Sequence, residues 1–438
     1  MIILLTARRI LAIALFCSAW LLATQLAAAD EVTVNWNGGT GNWSGSTNWT
    51  PAVVPNNGSG TNYAVKISAA NSAVTMDVLN ATIDSLRIGA ASGVLEVSAG
   101  STLNLTLGSS GVGGGATLYN GGTLNGYGDF TTSTQGSIIN QTGGNWTNYG
   151  SLLLGDGTGA VQNAQGAQFN NAGQLGIKDA SFANAGTLIN TGTLRVLGPY
   201  ASLENTGVLQ NSGVLIVDFP LNNYGTLTNS GTVTITPSNS LDPPSAHSFN
   251  TTTNYVQTGG STVVDGTLSA LNGAIVDIRG GTLGGSGTIN GVVVMGGTLS
   301  PGNSPGSLTI NGSYIQTSNG TFLEQLAGII PGTEFDQLVV NGGVSLTGGL
   351  DLELLNDFAP ALGDSFTIMT YDSESGEFGW MDLPTLAEGE AWLVSYNPTD
   401  ITLSVVTPEP SSLLLLVTSL MLLAAFTRAQ MGRNSGRV

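Results

Sequence analysis

The segment Asn184-Ala-Gly-Thr-Leu-Ile-Asn-Thr-Gly-Thr-Leu194 holds the unit Asn-x-Gly-x-Leu twice, the second copy six residues after the first. The pair returns as Asn205-Thr-Gly-Val-Leu-Gln-Asn-Ser-Gly-Val-Leu215 and as Asn223-Tyr-Gly-Thr-Leu-Thr-Asn-Ser-Gly-Thr-Val233, after steps of 21 and 18 residues. Asn148-Tyr-Gly-Ser-Leu152 and Asn171-Ala-Gly-Gln-Leu175 are earlier, more widely spaced copies. So short a period marks a solenoid. Within each unit the Leu or Val points into a narrow core while Thr, Ser or Val beside it faces out, the alternation of a half-buried strand. The Gly supplies a bend at positive φ, which a residue with a Cβ adopts only at a cost. An Asn at one place in successive coils stacks its amide into a ladder. Together these features predict an all-β fold, a parallel β-helix or solenoid with one coil per 18–21 residues. Paired hexads suit a left-handed prism and irregular spacing a right-handed helix; we read it as right-handed. A disordered Gly/Asn/Ser-rich linker is the alternative, but it conflicts with an aliphatic residue every few positions.

Working outward, composition removes several classes of function. Glycine fills 63 of 438 positions, and charged residues make up 9% against about 25% in ordinary soluble domains. Ten basic residues face 28 acidic ones, for a net charge of −18. Half of the basic residues lie at the ends: Arg8, Arg9, Arg428, Arg433 and Arg437. The body keeps only Lys66, Arg87, Lys178, Arg195 and Arg279, scattered along the chain. A body this anionic has no surface for neutralising phosphates, so nucleic acid is excluded as a partner. His247 is the one histidine and Cys17 the one cysteine. That excludes His/Cys metal sites, cysteine nucleophiles and disulfides in the mature chain. His247 reads as a solvated loop residue.

Both ends read as targeting segments. Residues 1–29 have the positive start, the apolar stretch from Ile10 to Leu22 and the small residues of a secretory signal peptide. Cleavage is expected after Ala27-Ala28-Ala29, before Asp30. At the other end Thr407-Pro408-Glu409-Pro410 leads into an apolar run from Leu413 to Phe426, followed by Arg428, Arg433 and Arg437. A helix over about 411–427 is close to the shortest that spans a bilayer. The arginines would hold its far end in the cytoplasm. This tail, residues 407–438, resembles the PEP-CTERM sorting signal, with Pro408, Glu409, Pro410 and the three arginines as the matching residues. The resemblance implies an exopolysaccharide-producing Gram-negative-type bacterium and recognition by the membrane enzyme exosortase. It also implies at least transient insertion through a single C-terminal transmembrane helix, then placement at the cell surface or in the extracellular matrix.

The flanks of the repeat agree with a solenoid. Trp36-Asn-Gly-Gly-Thr-Gly-Asn-Trp43, with Asn48-Trp49, looks like the opening segment of autotransporter-type β-repeat proteins. Its tryptophans are expected to cap the first coil; the alternative is that they stack on sugars. Downstream, Gly296-Gly-Thr-Leu-Ser-Pro-Gly-Asn-Ser-Pro-Gly306 and Phe335-Asp-Gln-Leu-Val-Val-Asn-Gly342 resemble the turn and closing strand of the autotransporter-associated β-repeat. The expected organisation is a solenoid over 30–236, a Pro-rich seam over 237–248, and a second solenoid section over 249–323. An acidic β cap follows over 324–406, then the tail. The cap is suggested by 15 acidic residues and no Lys or Arg within 324–409.

The chemistry is weighed on few residues. Glycosidases need two carboxylates at a set separation, and no acidic pair stands out in the sequence. Lyases of this shape typically need basic residues, and the five in the body are scattered. Glu334 with Asp336, and Asp372 with Glu374, offer hard oxygen ligands at short spacing. They support a weak calcium site at most; no other cofactor is expected. Thr232-Val-Thr-Ile-Thr236 is a single run of the ice-binding kind and does not recur. The expected function is therefore a non-enzymatic surface or biofilm-matrix protein, structural or adhesive, that contacts exopolysaccharide. The alternative is a polysaccharide-processing enzyme, a glycoside hydrolase or lyase, on the same β-helix.

Overall fold

The computed structural model describes residues 30–58, 60–89, 93–106, 108–133, 135–155, 160–238, 246–302, 305–408 and 420–424. Apart from a short helix at 420–424, these residues form an all-β parallel solenoid in two compact units that divide between Thr226 and Leu227. The expected signal peptide lies outside the described residues.

The repeat that opens the sequence forms the coils of the first unit. One coil is Ser181–Asn184, Thr187–Asn190 and Thr193–Leu197; the next is Ser202–Asn205, Val208–Asn211 and Val214–Val217. Each strand pairs in parallel with its counterpart, Ser181 opposite Ser202, Thr187 opposite Val208 and Thr193 opposite Val214. Three sheets result. Seven three-strand coils run from Ala73–Met76 to Val214–Val217. The six-residue spacing within a pair of units is thus the step across two successive corners of one coil. The third corner is irregular, which sets the longer step to the next pair.

Side chains alternate as expected: Phe182, Leu188, Leu194 and Val196 are wholly buried. The asparagines, however, point inward as well. Asn120, Asn140, Asn163, Asn184, Asn205 and Asn223 stack at one corner, each Nδ2 donating to the next Oδ1 at 2.8, 2.8, 2.7, 2.6 and 2.6 Å. Asn148, Asn171, Asn190 and Asn211 form a second ladder at 2.8, 2.7 and 2.7 Å. The spare amide hydrogens reach main-chain carbonyls, as from Asn184 to Val208 and from Asn190 to Val214. Buried amides are thereby satisfied, which a dry core requires. The first ladder starts at Asn120, whose counterpart one coil earlier is Val97. Its Oδ1 is accordingly buried without a donor.

The repeat glycines are explained differently from the expectation. Gly173, Gly192, Gly207 and Gly213 are not among the residues with positive φ. A Cβ on Gly192 would instead lie 2.0 Å from the carbonyl oxygen of Gly173, and one on Gly207 2.1 Å from that of Gly186. Glycine is needed there because successive corners touch backbone to backbone.

At the start of this unit, Asp30–Trp36 pairs in parallel with Thr61–Ile67 and antiparallel with Trp49–Thr50. Trp36, Trp43 and Trp49 are buried and meet edge to face at 4.8 and 4.9 Å. Trp43 Nε1 donates to Pro55 O and Trp49 Nε1 to Trp43 O. The rings plug the opening segment, and buried rings cannot serve as sugar platforms.

The second unit repeats the three-strand coil with less regular corners. Thr232–Ile235, Ser261–Val264, Thr282–Gly285, Thr298–Pro301, Thr321–Leu326, Gly349–Leu354 and Trp380–Asp382 stack in parallel. Coils therefore continue well into 324–406. At the end of the stack Asp400–Val406 pairs antiparallel with Ala391–Tyr396 and with Ser365–Thr370. His247 is buried rather than solvated: its Nδ1 meets Thr236 Oγ1 at 2.7 Å and its carbonyl accepts from Thr267 N.

Of the expected membrane span at 411–427, only 420–424 is described, as helix with Leu420 to Leu423 exposed. Among the described residues no helix is long and apolar enough to cross a membrane.

Candidate functional site

In the first unit the outward face built on Thr61–Ile67, Ser85–Ile88, Ser110–Val112 and Asp129–Thr132 carries a row of register neighbours. These are Asn35, Lys66, Arg87, Gly111 and Thr131. Lys66 and Arg87 are exposed and sit on adjacent strands, about 4.8 Å apart along the sheet. Of the cations that look scattered in the sequence, the fold brings Lys66 and Arg87 together. Lys178, on Gln174–Lys178, and Arg195, on Thr193–Leu197, lie on the same sheet. Beside Arg87 and Gly111 lies an open cleft of about 240 Å³. Ser109, Thr131 and Ser133 line it with hydroxyls, together with the glycine backbone at 89, 111, 113 and 114, while the Ser110 hydroxyl is buried and accepts from Leu86 N. Gly111 cannot be filled simply, because a Cβ there would lie 2.7 Å from Thr131 O.

The other arginines of the body are neutralised locally. Arg195 Nε donates to Asp218 at 2.5 Å, and Arg279 reaches Asp277 at 2.8 Å. Among the described residues, no carboxylate forms an ion pair with Lys66 or Arg87. The third face of this unit presents a neutral polar row in register: Thr82, Asn104, Asn125, Thr147 and Asn170. Asn125 donates to Asn104 at 2.9 Å, Asn104 to Thr82 and Asn170 to Thr147 at 3.3 Å. At the corner beyond this row the exposed rings of Tyr127 and Tyr149 stack at 4.7 Å, nearly parallel.

The second unit contains a pair of acids that sequence reading did not join. Phe322, Glu324 and Leu326 alternate on one strand and all point inward, each fully buried. Asp336 is also fully buried, and its Oδ1 accepts from Gly306 N at 2.8 Å. That bond ties the Phe335-Asp motif to the end of the Ser-Pro-Gly turn, next to the pairing of Ser307 with Gln337. Both oxygens of Glu324 and Oδ2 of Asp336 have no donor. Burial, and then the charge of Asp336, holds the Glu324 carboxyl well above the ordinary range. Burial pushes Asp336 up to about 7, against the opposing effect of the Gly306 N–H. Two sealed carboxyls without a counter-ion do not both ionise, so the pair keeps a proton. The period-2 alternation of 322, 324 and 326 was the sequence signal for an inward Glu324.

The calcium grouping is not assembled as expected. Glu334 turns away from Asp336 to accept from Ile329 N and Ile330 N at 2.9 and 3.1 Å. Asp372 is exposed and Glu374 half-buried beside Tyr371, whose hydroxyl is pushed up to about 12 by burial and by the charges of Glu374 and Asp400. Among the described residues no three His, Cys, Asp or Glu side chains come together. Asp30 opens the first strand, opposite Thr61, and Pro408 is exposed just beyond Val406. Ala27, Ala29, Glu409, Pro410, Arg428, Arg433 and Arg437 lie outside the described residues.

Fold and surface together define a parallel β-solenoid repeat protein. No family model and no curated protein matches the chain.

Proposed function

We propose that the chain is an exported, non-enzymatic structural or adhesive protein of the cell surface or biofilm matrix of a Gram-negative-type bacterium. It is read by an exosortase through its PEP-CTERM tail and contacts exopolysaccharide along its outer faces. The same reading takes the coils as right-handed and 411–427 as a membrane helix before processing. The observation that supports this most is the row Thr82, Asn104, Asn125, Thr147 and Asn170, which offers a like polar group on successive strands. Groups repeated about 4.8 Å apart suit many weak contacts whose avidity exceeds that of any one. The test is the intact mass and cell fraction of the mature protein in its host, with and without the sorting enzyme. A body ending near Pro410 in the matrix, lost on deletion of that enzyme, is expected. A full-length species that stays in the inner membrane in both strains would overturn the reading.

A further inference from the structure

We infer that Lys66, Arg87 and the cleft at Gly111 form a binding site for the anionic group of an acidic glycan, a carboxylate- or sulfate-bearing sugar unit. The inference rests on the exopolysaccharide reading and names the chemistry that one face selects. Lys66 and Arg87 are stacked in register on an outward face. Two like charges so placed repel each other and gain when an anion bridges them. Where this chain uses an arginine to brace its own surface it supplies an aspartate, Asp218 for Arg195 and Asp277 for Arg279. Beside Arg87 it supplies a cleft instead. The guanidinium fork matches a planar carboxylate. Ser109, Thr131 and Ser133 next to it offer hydroxyls to the sugar ring. At about 240 Å³ the cleft falls below the roughly 300–1,000 Å³ of a drug-sized pocket, so it takes one sugar unit rather than a long oligosaccharide. Nucleic acid is disfavoured as the occupant, because two cations cannot offset the repulsion of so anionic a body.

The intact chain would be titrated with oligogalacturonate, with a neutral oligosaccharide of equal length, and with inorganic sulfate. Oligogalacturonate should bind best, and added salt should weaken it. Arg87→Gln and Lys66→Gln should each weaken binding about tenfold, the loss expected for one charged hydrogen bond. Arg87→Lys should recover only part, because it keeps the charge and loses the fork. Both side chains are exposed, so the variants should retain the wild-type circular dichroism. Lys178→Gln, on the same sheet, should leave binding unchanged. Absence of oligogalacturonate binding, equal loss in Lys178→Gln, or sulfate binding as tightly as the glycan would each overturn the assignment. A chain that is retained in its own matrix yet ignores oligogalacturonate would sink this site alone. A chain that binds the acid sugar but never reaches the matrix would sink the functional reading instead.

Discussion

The two units handle polar groups inside a narrow core in opposite ways. In the first, one residue type recurs at one place, and a row of asparagines passes a hydrogen bond from Asn120 to Asn223. In the second, the interior polar groups differ from coil to coil. Tyr255 bonds Thr262, Thr262 bonds Gln257, and Gln257 donates to Gly280 and Thr282 carbonyls. Tyr314 and Gln316 form a separate group. The asparagine row here is on the outside, Asn290, Asn311 and Asn341, bonded at 2.8 and 2.7 Å. Inside sits the acid pair with three orphaned oxygens. An amide both donates and accepts, so identical amides satisfy each other indefinitely. A carboxylate only accepts, and a pair of them is satisfied only by keeping a proton.

The largest effect expected from that contrast comes from the corners. Gly192→Ala sets a methyl 2.0 Å from Gly173 O, and should cost about 3 kcal/mol or more in urea unfolding. Gly143→Ala, with nothing near the added Cβ, meets only the cost of its left-handed φ of 82°, about 1 kcal/mol. Equal losses at the two positions would refute the close-contact account of the repeat glycine.

Next in size is a break in the ladder. Asn184→Leu leaves the Asn205 Oδ1 and one of the two Asn163 Nδ2 hydrogens without a partner, the other still reaching Thr187 O, at a cost of about 2–3 kcal/mol. Asn311→Ala in the outer row of the second unit should change stability by no more than about 0.5 kcal/mol. Comparable values would erase the distinction between inner and outer rows.

The acid pair makes the stability of the second unit depend on pH. Folded Glu324 and Asp336 hold protons to higher pH than the unfolded chain does. Their contribution is therefore greatest below about pH 4, the unfolded range, and declines as pH rises. The decline continues through about 7 for Asp336, and the Glu324 carboxyl, held well above its ordinary range by burial and by the charge of Asp336, adds to it in the same direction. Thermal melts from pH 5 to 8 should show falling stability, and Glu324→Gln should flatten the slope. A slope unchanged in that variant would argue against a buried, ionisable Glu324 as its source. The smallest effects are at the surface. Arg195→Ala breaks a half-exposed ion pair, worth at most about 1 kcal/mol. Arg87→Gln, with no such partner, should be neutral within about 0.5 kcal/mol.

Much of the first unit was legible because its sequence repeats. Asn184 and Asn190, six apart, already carried both corners of a coil, and Leu188 and Leu194 its core. The reason for the repeat glycine is not legible in sequence, because close approach between coils leaves no mark in a single chain's spacing. Glu324 and Asp336 are twelve residues apart, and spacing alone points from Asp336 to the nearer Glu334 instead. The alternation from Phe322 to Leu326 turns one acid inward, and the loop between folds Glu334 outward. His247 was placed in solvent by its proline-rich neighbours, yet its carbonyl holds Thr267 and its ring meets Thr236.

The sequence by itself determined that this chain coils into parallel strands, since a recurrent Asn-x-Gly-x-Leu unit buries its apolar residues only against copies of itself. Charge sign, the single histidine and the tail motif were likewise readable without coordinates. Only the tertiary structure decided which distant residues share a row. Lys66 lies beside Arg87 because a coil here is 21 residues long, and Glu324 feels the charge of Asp336 because a loop returns the chain to the Ser-Pro-Gly turn. Composition counts charges, but coil length and loop path set their neighbours, and neighbours decide whether a charge is paired, sealed or free to bind.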